Sequence, residues 1–515
     1  MSDPVTPTAQ SPATPSGARS NGYMASTVKH GLIYFLGNAL ARLAGFIMLP
    51  VYTRVLTTGD YGVLEILSVS ADVLSMIAGL GIRQAMLRLY YQHDSDEERH
   101  VVVSTAALLV VAIFGCLTVG GLALARPISE AMLGPDQPLI YVQLAVVSFV
   151  VGALGDIPGV HLQASQRSST LVTSNLVRLL GMLALNILFI VVIRTGVKGI
   201  FLSNIIASCI VGGFLAWRMF REIGMRFDRE TARALIKFGT PLVASNLGSF
   251  VLHFSDRYFL RFFHALNVVG VYALSYKFAM LIAMFVAGPF SSIWTAKALE
   301  IHRREAEGAP PILRSILKSF SLTVVTVALG TALYSRVVID LLLGPEFRAA
   351  DEAIPLLSVG MVFFCFRNVS QTGAMIAKRP GLIAKATTSA AVVALLLNLL
   401  LIPRWGGMGA AAATAGAFGV EFMLMRALSE RAYAIGLTLA DELRPLGIAC
   451  LVAFLAEWVV PSSAGPTVAI ALRSCCFGLY LVAIASTGDL TPEARGLIRR
   501  SVRDPRAIMA ALRGA

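Results

Sequence analysis

The chain has 515 residues, of which 56% are hydrophobic and 44 are glycine, while only 14% are charged, where roughly 25% is usual for a soluble domain. So few charges cannot cover a water-exposed surface, which excludes a soluble enzyme, a nucleic-acid-binding domain and a secreted disulfide scaffold. The net charge of +13 then reads as positive loops beside a membrane rather than as a nucleic-acid footprint.

Residues 1–27 are rich in Ser, Thr, Pro and Ala and lack the apolar core of a signal peptide, so they read as a disordered tail that is not cleaved. Beyond them, a bilayer-spanning helix needs about 20 mostly apolar residues, because every backbone polar group must be satisfied internally. Runs of that kind lie near 31–53, 62–82, 101–125, 139–163, 169–193 and 199–220. A polar, Arg-rich linker at 223–235 separates them from runs near 236–259, 268–292, 317–343, 354–377, 382–403 and 408–428. A last pair falls near 446–461 and 467–487, followed by a basic tail at 489–515. The expected fold is an all-α polytopic membrane protein of about 14 transmembrane helices. It divides into six-helix bundles at 28–222 and 236–430, with an extra helix pair at 431–488.

Orientation follows from the basic residues. With the N-terminus inside, cytoplasmic segments hold 29 Lys and Arg, the opposite loops hold 9, and five remain inside helices. That bias places both termini in the cytoplasm. The basic tail is expected to lie against anionic lipid head groups.

The two halves resemble each other. Tyr52-Thr53-Arg54 stands opposite Ser255-Asp256-Arg257, and YGVLEILS from Tyr61 opposite VGVYALSY from Val269. Later, Asn186 matches Asn398 and Gly199 matches Gly409. Because six is even, the copies share orientation and should be related by a twofold axis along the membrane normal. Paired bundles of this kind are the architecture of a transporter with a midplane cavity.

Four bases fall near the centres of their helices: Arg42, Arg178, Lys277 and Arg367. Each costs about 2.5–3.5 kcal/mol at the bilayer centre unless it meets water or a partner. Two come from each half, so a chamber that binds an anionic substrate is one reading. Structural neutralisation by the deep acids Asp72, Asp156 and Glu421 is the other. Asp72 and Asp156 can be read as sites coupling transport to a Na⁺ or H⁺ gradient, or as counterions of Arg42 and Arg178. Glu65, near a helix end, reads as a solvated rim.

Weaker signals point elsewhere. Asp94-Ser95-Asp96 spells the DxD of metal-dependent glycosyltransferases but lies in a short loop with no Rossmann-like domain around it. Trp294, Trp405 and Trp458 read as interface anchors. The six cysteines form no CxxC pair, so neither a metal site nor disulfides are expected. No HExxH, GxSxG or Walker loop occurs, so the chain is not expected to be an enzyme or to hydrolyse ATP. No cofactor is expected beyond a coupling ion gradient or the membrane potential.

The opening helix through YGVLEILS, the run FGTPLVASNLGSFVLHFSDRYFL from Phe238 and the segment LNLLLIPRWGGMGAAAAT from Leu397 resemble the polysaccharide transporters, the flippases for lipid-linked oligosaccharides. The resemblance extends over residues 28–430 and places the chain in the superfamily of multidrug exporters and peptidoglycan-precursor flippases. It implies alternating-access transport of an undecaprenyl-diphosphate-linked glycan across the bacterial cytoplasmic membrane. The implied partners are that glycan, membrane lipids, a glycan polymerase and export machinery, without nucleic acid. Arg42, Arg178, Lys277 and Arg367 become candidates for the head group by position. A multidrug exporter of organic cations and a membrane glycosyltransferase or glycan polymerase are the competing readings.

Overall fold

The computed structural model describes residues 46–79, 81–305, 308–461 and 465–487. Arg42, most of the first apolar run and both tails lie outside the described residues. Among the described residues the chain is helical throughout, with no strand.

The helices run in chain order: α1 Leu49–Val55, α2 Thr58–Ala78, α3 Ile82–Gln92, α4 Asp96–Ala123, α5 Ala125–Met132, α6 Ile140–Ala153, α7 Asp156–Ala164, α8 Ser168–Asn186 and α9 Val197–Ile223. They continue as α10 Arg229–Phe263, α11 Leu266–Ile282, α12 Gly288–Arg304, α13 Ala309–Leu342, α14 Ile354–Ser370, α15 Thr372–Ile376, α16 Gly381–Ala432, α17 Leu439–Val459 and α18 Pro466–Ser486. Short π-helical turns extend α8 and α11, and a 3-10 turn at Pro345–Asp351 follows α13.

Ten helical stretches among the described residues are long and apolar enough to cross a membrane. This is a multi-pass membrane protein, and large apolar side chains such as Val119 (71% exposed), Phe262 (82%) and Leu341 (73%) face outward as a lipid-facing surface requires. Ten differs from the expected fourteen for stated reasons. The first run lies mostly outside the described residues, and α10 and α17 are not among the ten, α17 because Asp441, Glu442, Arg444 and Glu457 put at least three charges in every bilayer-length stretch of it. The 52 residues of α16 also contain two expected spans, folded back on each other at Gly406, whose φ of 51° breaks the helix. A Cβ on Gly409 would lie 2.3 Å from the Leu401 carbonyl, and one on Gly416 would lie 3.0 Å from Leu397. That pairing order is antiparallel, and only glycine lets the two legs approach so closely.

Local chemistry sets the other boundaries. Thr57 and Asp60 form a reciprocal capping box that starts α2, and Thr438 and Asp441 form one that starts α17. Gly81, at φ 61°, turns the chain from α2 into α3 against the carbonyl of Gly239. Asp94-Ser95-Asp96 has a structural job: the Ser95 hydroxyl caps α4 by accepting from the Glu98 amide at 3.2 Å, and Asp96 pairs with Arg99 at 3.3 Å. Trp294 departs from its expected interface role. It is 6% exposed and donates its indole N–H to Thr372 at 2.8 Å inside the core, whereas Trp405 and Trp458 are exposed as expected.

Residues matched between the halves make matching contacts. Asn186 donates to the Tyr52 hydroxyl at 3.0 Å, and its counterpart Asn398 donates to the Ser255 hydroxyl at 3.0 Å, Tyr52 and Ser255 being themselves counterparts. The helices α2 and α11 cross at Gly62 and Gly270. A Cβ on Gly62 would fall 2.0 Å from the Leu266 carbonyl, and one on Gly270 would fall 2.0 Å from the Thr58 carbonyl. The two contacts are mirror copies of each other, one from each half, as expected where a twofold axis passes between them.

Candidate functional site

The crossing of α2 and α11 brings backbone against backbone, and charge is gathered one to two turns further along both helices. Glu65 on α2 is 7% exposed, so it is not a solvated rim residue. Its carboxylate lies 3.2 Å from the Lys277 ammonium on α11 and 3.5 Å from the Arg257 guanidinium on α10. Lys277 also donates to the Tyr61 hydroxyl at 2.9 Å. A carboxylate from the first half is thus shared by two cations from the second.

Arg257 is the most enclosed charge of the group, at 1% exposure. It donates to Asp256 at 2.7 Å and to the His253 carbonyl at 2.9 Å, and its guanidinium lies 4.0 Å from the centre of the Tyr276 ring. Asp256 in turn accepts from the Tyr272 hydroxyl at 2.5 Å and the Thr414 hydroxyl at 3.2 Å. Two acids and two bases leave the group formally neutral, which is how four charges can be removed from water together. Lys277 is the exception to burial, with 41% of its side chain exposed, so its ammonium can meet a further anion without unburying the rest.

The sequence candidates separate into distinct surroundings. Arg367 on α14 is not a free cation: it pairs with Glu421 at 2.9 Å and donates to Asn368 at 2.7 Å and Thr387 at 3.2 Å, within the second half. Arg178 on α8 makes no ion pair within 4.0 Å among the described residues. It and Arg83 on α3 act electrostatically on Asp156, at the first turn of α7. Asp72 and Asp156 are both exposed and neither forms an ion pair among the described residues. Asp72 lies within electrostatic reach of Glu65, one more acid on the same helix. Of the four bases, Lys277 alone joins the charge group between the halves, while Arg42 lies outside the described residues.

Glu65, Asp256 and Arg257 were not legible as site residues. Their signal was present in part, since Glu65 is the fifth residue of the repeat motif YGVLEILS and Asp256-Arg257 is the second copy of the matched Thr53-Arg54 pair. The first copy is chemically unlike the second: the Thr53 hydroxyl accepts from the Gly344 amide at 3.2 Å, and Arg54 is exposed. The repeat therefore keeps its backbone pattern but carries buried charge on one side.

Comparison with known proteins places this geometry. The family model described as "polysaccharide biosynthesis protein" matches residues 27–294. A probable low-salt glycan biosynthesis flippase, Agl15 of Haloferax volcanii, is 24% identical over 195 residues, which cover 38% of this chain and 41% of that one. An uncharacterized membrane protein of Methanocaldococcus jannaschii, MJ1068, is 28% identical over 189 residues, covering 36% and 37%. The matched part thus spans less than half the length of these curated relatives. Among solved structures, the lipid II flippase MurJ in an inward closed conformation aligns with a TM-score of 0.72 at 12% identity, over 88% of this chain and 99% of that one. A multidrug resistance MATE family transporter in its inward-facing conformation aligns at 0.57 with 15% identity, over 78% and 100%. These two likenesses establish the fold. The family model covers more than half of the chain, so this multi-pass membrane protein belongs to the polysaccharide biosynthesis protein family.

Proposed function

We propose that the protein moves an undecaprenyl-diphosphate-linked oligosaccharide, the repeat unit of a polysaccharide or exopolysaccharide, across the cytoplasmic membrane by alternating access, with both termini in the cytoplasm. The observation that carries the mechanism is the carboxylate of Glu65 shared between Lys277 and Arg257 beside the Gly62 and Gly270 crossing. In that arrangement the two halves are held together by a charge pairing that a diphosphate can compete for. A diphosphate reaching the half-exposed Lys277 offers it a stronger anion than one carboxylate, and charge-assisted bonds of this kind are among the strongest a side chain makes. Glu65 is then released, the ion pairing across the crossing weakens, and the side that was closed can part. The lipid tail stays in the bilayer while the head group follows the polar path.

Arg178, which has no ion-pair partner among the described residues, is assigned to the same head group from the first half, and so, by its sequence position, is Arg42, which lies outside the described residues. Arg367, bound to Glu421, is assigned to shaping the second half. Asp72 and Asp156 are the residues proposed to couple transport to a Na⁺ or H⁺ gradient, because both are charged groups in membrane-spanning helices with no ion-pair partner among the described residues. A glycan polymerase and export machinery are the partners this role implies.

The test is translocation itself. In reconstituted vesicles, a lipid-linked oligosaccharide diphosphate placed in one leaflet should become accessible to a membrane-impermeant probe on the other side, and a lipophilic cation should not be pumped. Cation export without glycan translocation would replace this reading with multidrug export.

A further inference from the structure

Five basic residues fall inside apolar runs, and the fifth, Arg473 on α18, is far from the charge group described above in both sequence and partners. Its side chain is 5% exposed. It donates to the Leu333 carbonyl of α13, and its nearest acid, Glu457 of α17, stands 3.8 Å away, beyond hydrogen-bonding distance. A buried guanidinium held by one carbonyl and a distant carboxylate has unused donors, and burying such a group is costly unless something completes its bonds.

Arg473 lines a cleft of 690 Å³ between the ends of α13, α17 and α18. That volume lies within the roughly 300–1,000 Å³ of small-molecule sites. The other polar lining residues are Arg336 and Asp340 of α13 and Glu457 of α17, and the cleft is completed by Trp458, which is 80% exposed. Each of the further charges is held loosely: Arg336 is 3.8 Å from Asp351, and Asp340 is 3.3 Å from Arg348. The cleft sits at the C-terminal ends of α13 and α17 and the N-terminal end of α18, the side that the count of basic residues in the sequence assigns to the extracytoplasmic face.

We propose that this cleft binds a saccharide on the extracytoplasmic side, with Trp458 as the ring platform and the two arginines and two acids as hydroxyl partners. The charge balance decides the ligand class. Two guanidiniums against two carboxylates give no net attraction for a phosphate or diphosphate, but they supply donors and acceptors in equal measure. Sugar hydroxyls are both donor and acceptor, and the apolar face of a pyranose ring fits a flat, exposed indole. An exit-side glycan site also gives the extra helix pair α17 and α18 a purpose that the two six-helix halves do not supply. The identity of the saccharide as the cargo's own glycan rests on the function proposed above; the chemistry of the cleft does not.

The experiment uses the full chain in nanodiscs and, as probe, the water-soluble oligosaccharide released by mild acid from the host's own lipid-linked repeat unit. Binding is read by saturation-transfer NMR on the oligosaccharide and by the fluorescence of Trp458. Wild type should bind, while Trp458→Ala and the pair Asp340→Asn with Glu457→Gln should each bind at least tenfold more weakly. Trp458 is exposed and carries no charge, so Trp458→Ala should keep the wild-type melting temperature, and the Asp340→Asn with Glu457→Gln pair is compared at a temperature where all three proteins are folded. Equal binding by wild type and Trp458→Ala, or binding by neither, overturns the proposal. So does displacement of the oligosaccharide by a short-chain phosphatidylglycerol, which would assign the cleft to lipid head groups. Vesicle translocation measured on the same preparations separates the two ideas: glycan binding that depends on Trp458, without translocation, leaves the cleft standing and refutes the flippase reading.

Discussion

Glu65→Gln removes one negative charge from between two cations and keeps the side chain's shape. In wild type the carboxylate faces unit charges at 3.2 and 3.5 Å, each attracting it by about 5 kcal/mol at an effective dielectric constant of about 20. Much of that attraction is spent replacing lost hydration. Removing one partner of a buried pair costs about 3–5 kcal/mol net. Lys277 is half-exposed and Arg257 keeps Asp256, so the lower figure applies. If the full difference is felt only when the halves are joined, about 3 kcal/mol shifts the ratio of joined to parted molecules by about 150-fold. A parted population of about 1% would rise to about 60%. Spin labels at Leu74 and Met280, both exposed and toward the ends of the two helices away from the crossing, measure this by double electron–electron resonance in nanodiscs. The glutamine variant should show a new, longer distance as a major component. A distribution unchanged from wild type would refute the idea that this carboxylate holds the halves together.

Arg367→Ala should lower the melting temperature and the folded yield, because it strands Glu421 in a buried site at a cost of about 3–5 kcal/mol, and the double change Arg367→Met with Glu421→Met should recover most of that loss in the same thermal assay. Arg178→Ala, by contrast, breaks no ion pair among the described residues; it should leave the melting temperature in place and reduce vesicle translocation of the lipid-linked glycan at least tenfold. Gly62→Ala would drive a methyl carbon to 2.0 Å from the Leu266 carbonyl, so it should produce the long spin-label distance even with Glu65 present, and an unaltered distance would show that the crossing is not tight. Asp441, at the start of α17, lies 2.8 Å from Arg314 and 3.2 Å from Lys318. Although burial opposes its ionisation, hydrogen bonds from Thr438, Arg314 and Lys318 hold its carboxyl well below the usual carboxylate range. Its folded value is depressed, so its stabilisation is present above about pH 4 and is lost as pH falls through the folded value. Amide exchange at residues 439–445, corrected for intrinsic rate, should therefore be protected in wild type at pH 7, less so in acid, and unprotected at both in Asp441→Asn.

The fold was legible because lipid imposes it. Apolar runs of bilayer length leave little choice of secondary structure, and all the runs that fall on described residues are helical at nearly the expected bounds. The internal repeat was legible to the level of single contacts, since matched Asn186 and Asn398 bond to matched Tyr52 and Ser255. The site was harder to read for a physical reason. Hydropathy marks a charge as expensive but says nothing about which face of the helix it occupies, so Lys277 and Arg367 looked alike in sequence. The structure gives one a partner from the other half and the other a partner from its own. Glu65 was misplaced because its distance from the helix end suggested water, whereas the close approach of Gly62 and Gly270 seals that depth. Burial there is set by two glycines several residues away, a tertiary effect that no local window contains.

The contact at Gly62 and Gly270 also has a mechanical meaning. At the crossing itself the two helices meet backbone to backbone, with no interdigitated side chains to unlock at that point, so once the Glu65–Lys277 pair is released they can tilt about the crossing with little change in packing there. That point lies near one end of α2, whose 21 residues extend about 31 Å. A tilt of about 10° there carries the far end of the helix, about 24 Å away, through about 4 Å. The glycine pair is in this sense a fulcrum set close to one rim, so that small motions where the halves touch become wide ones where they do not.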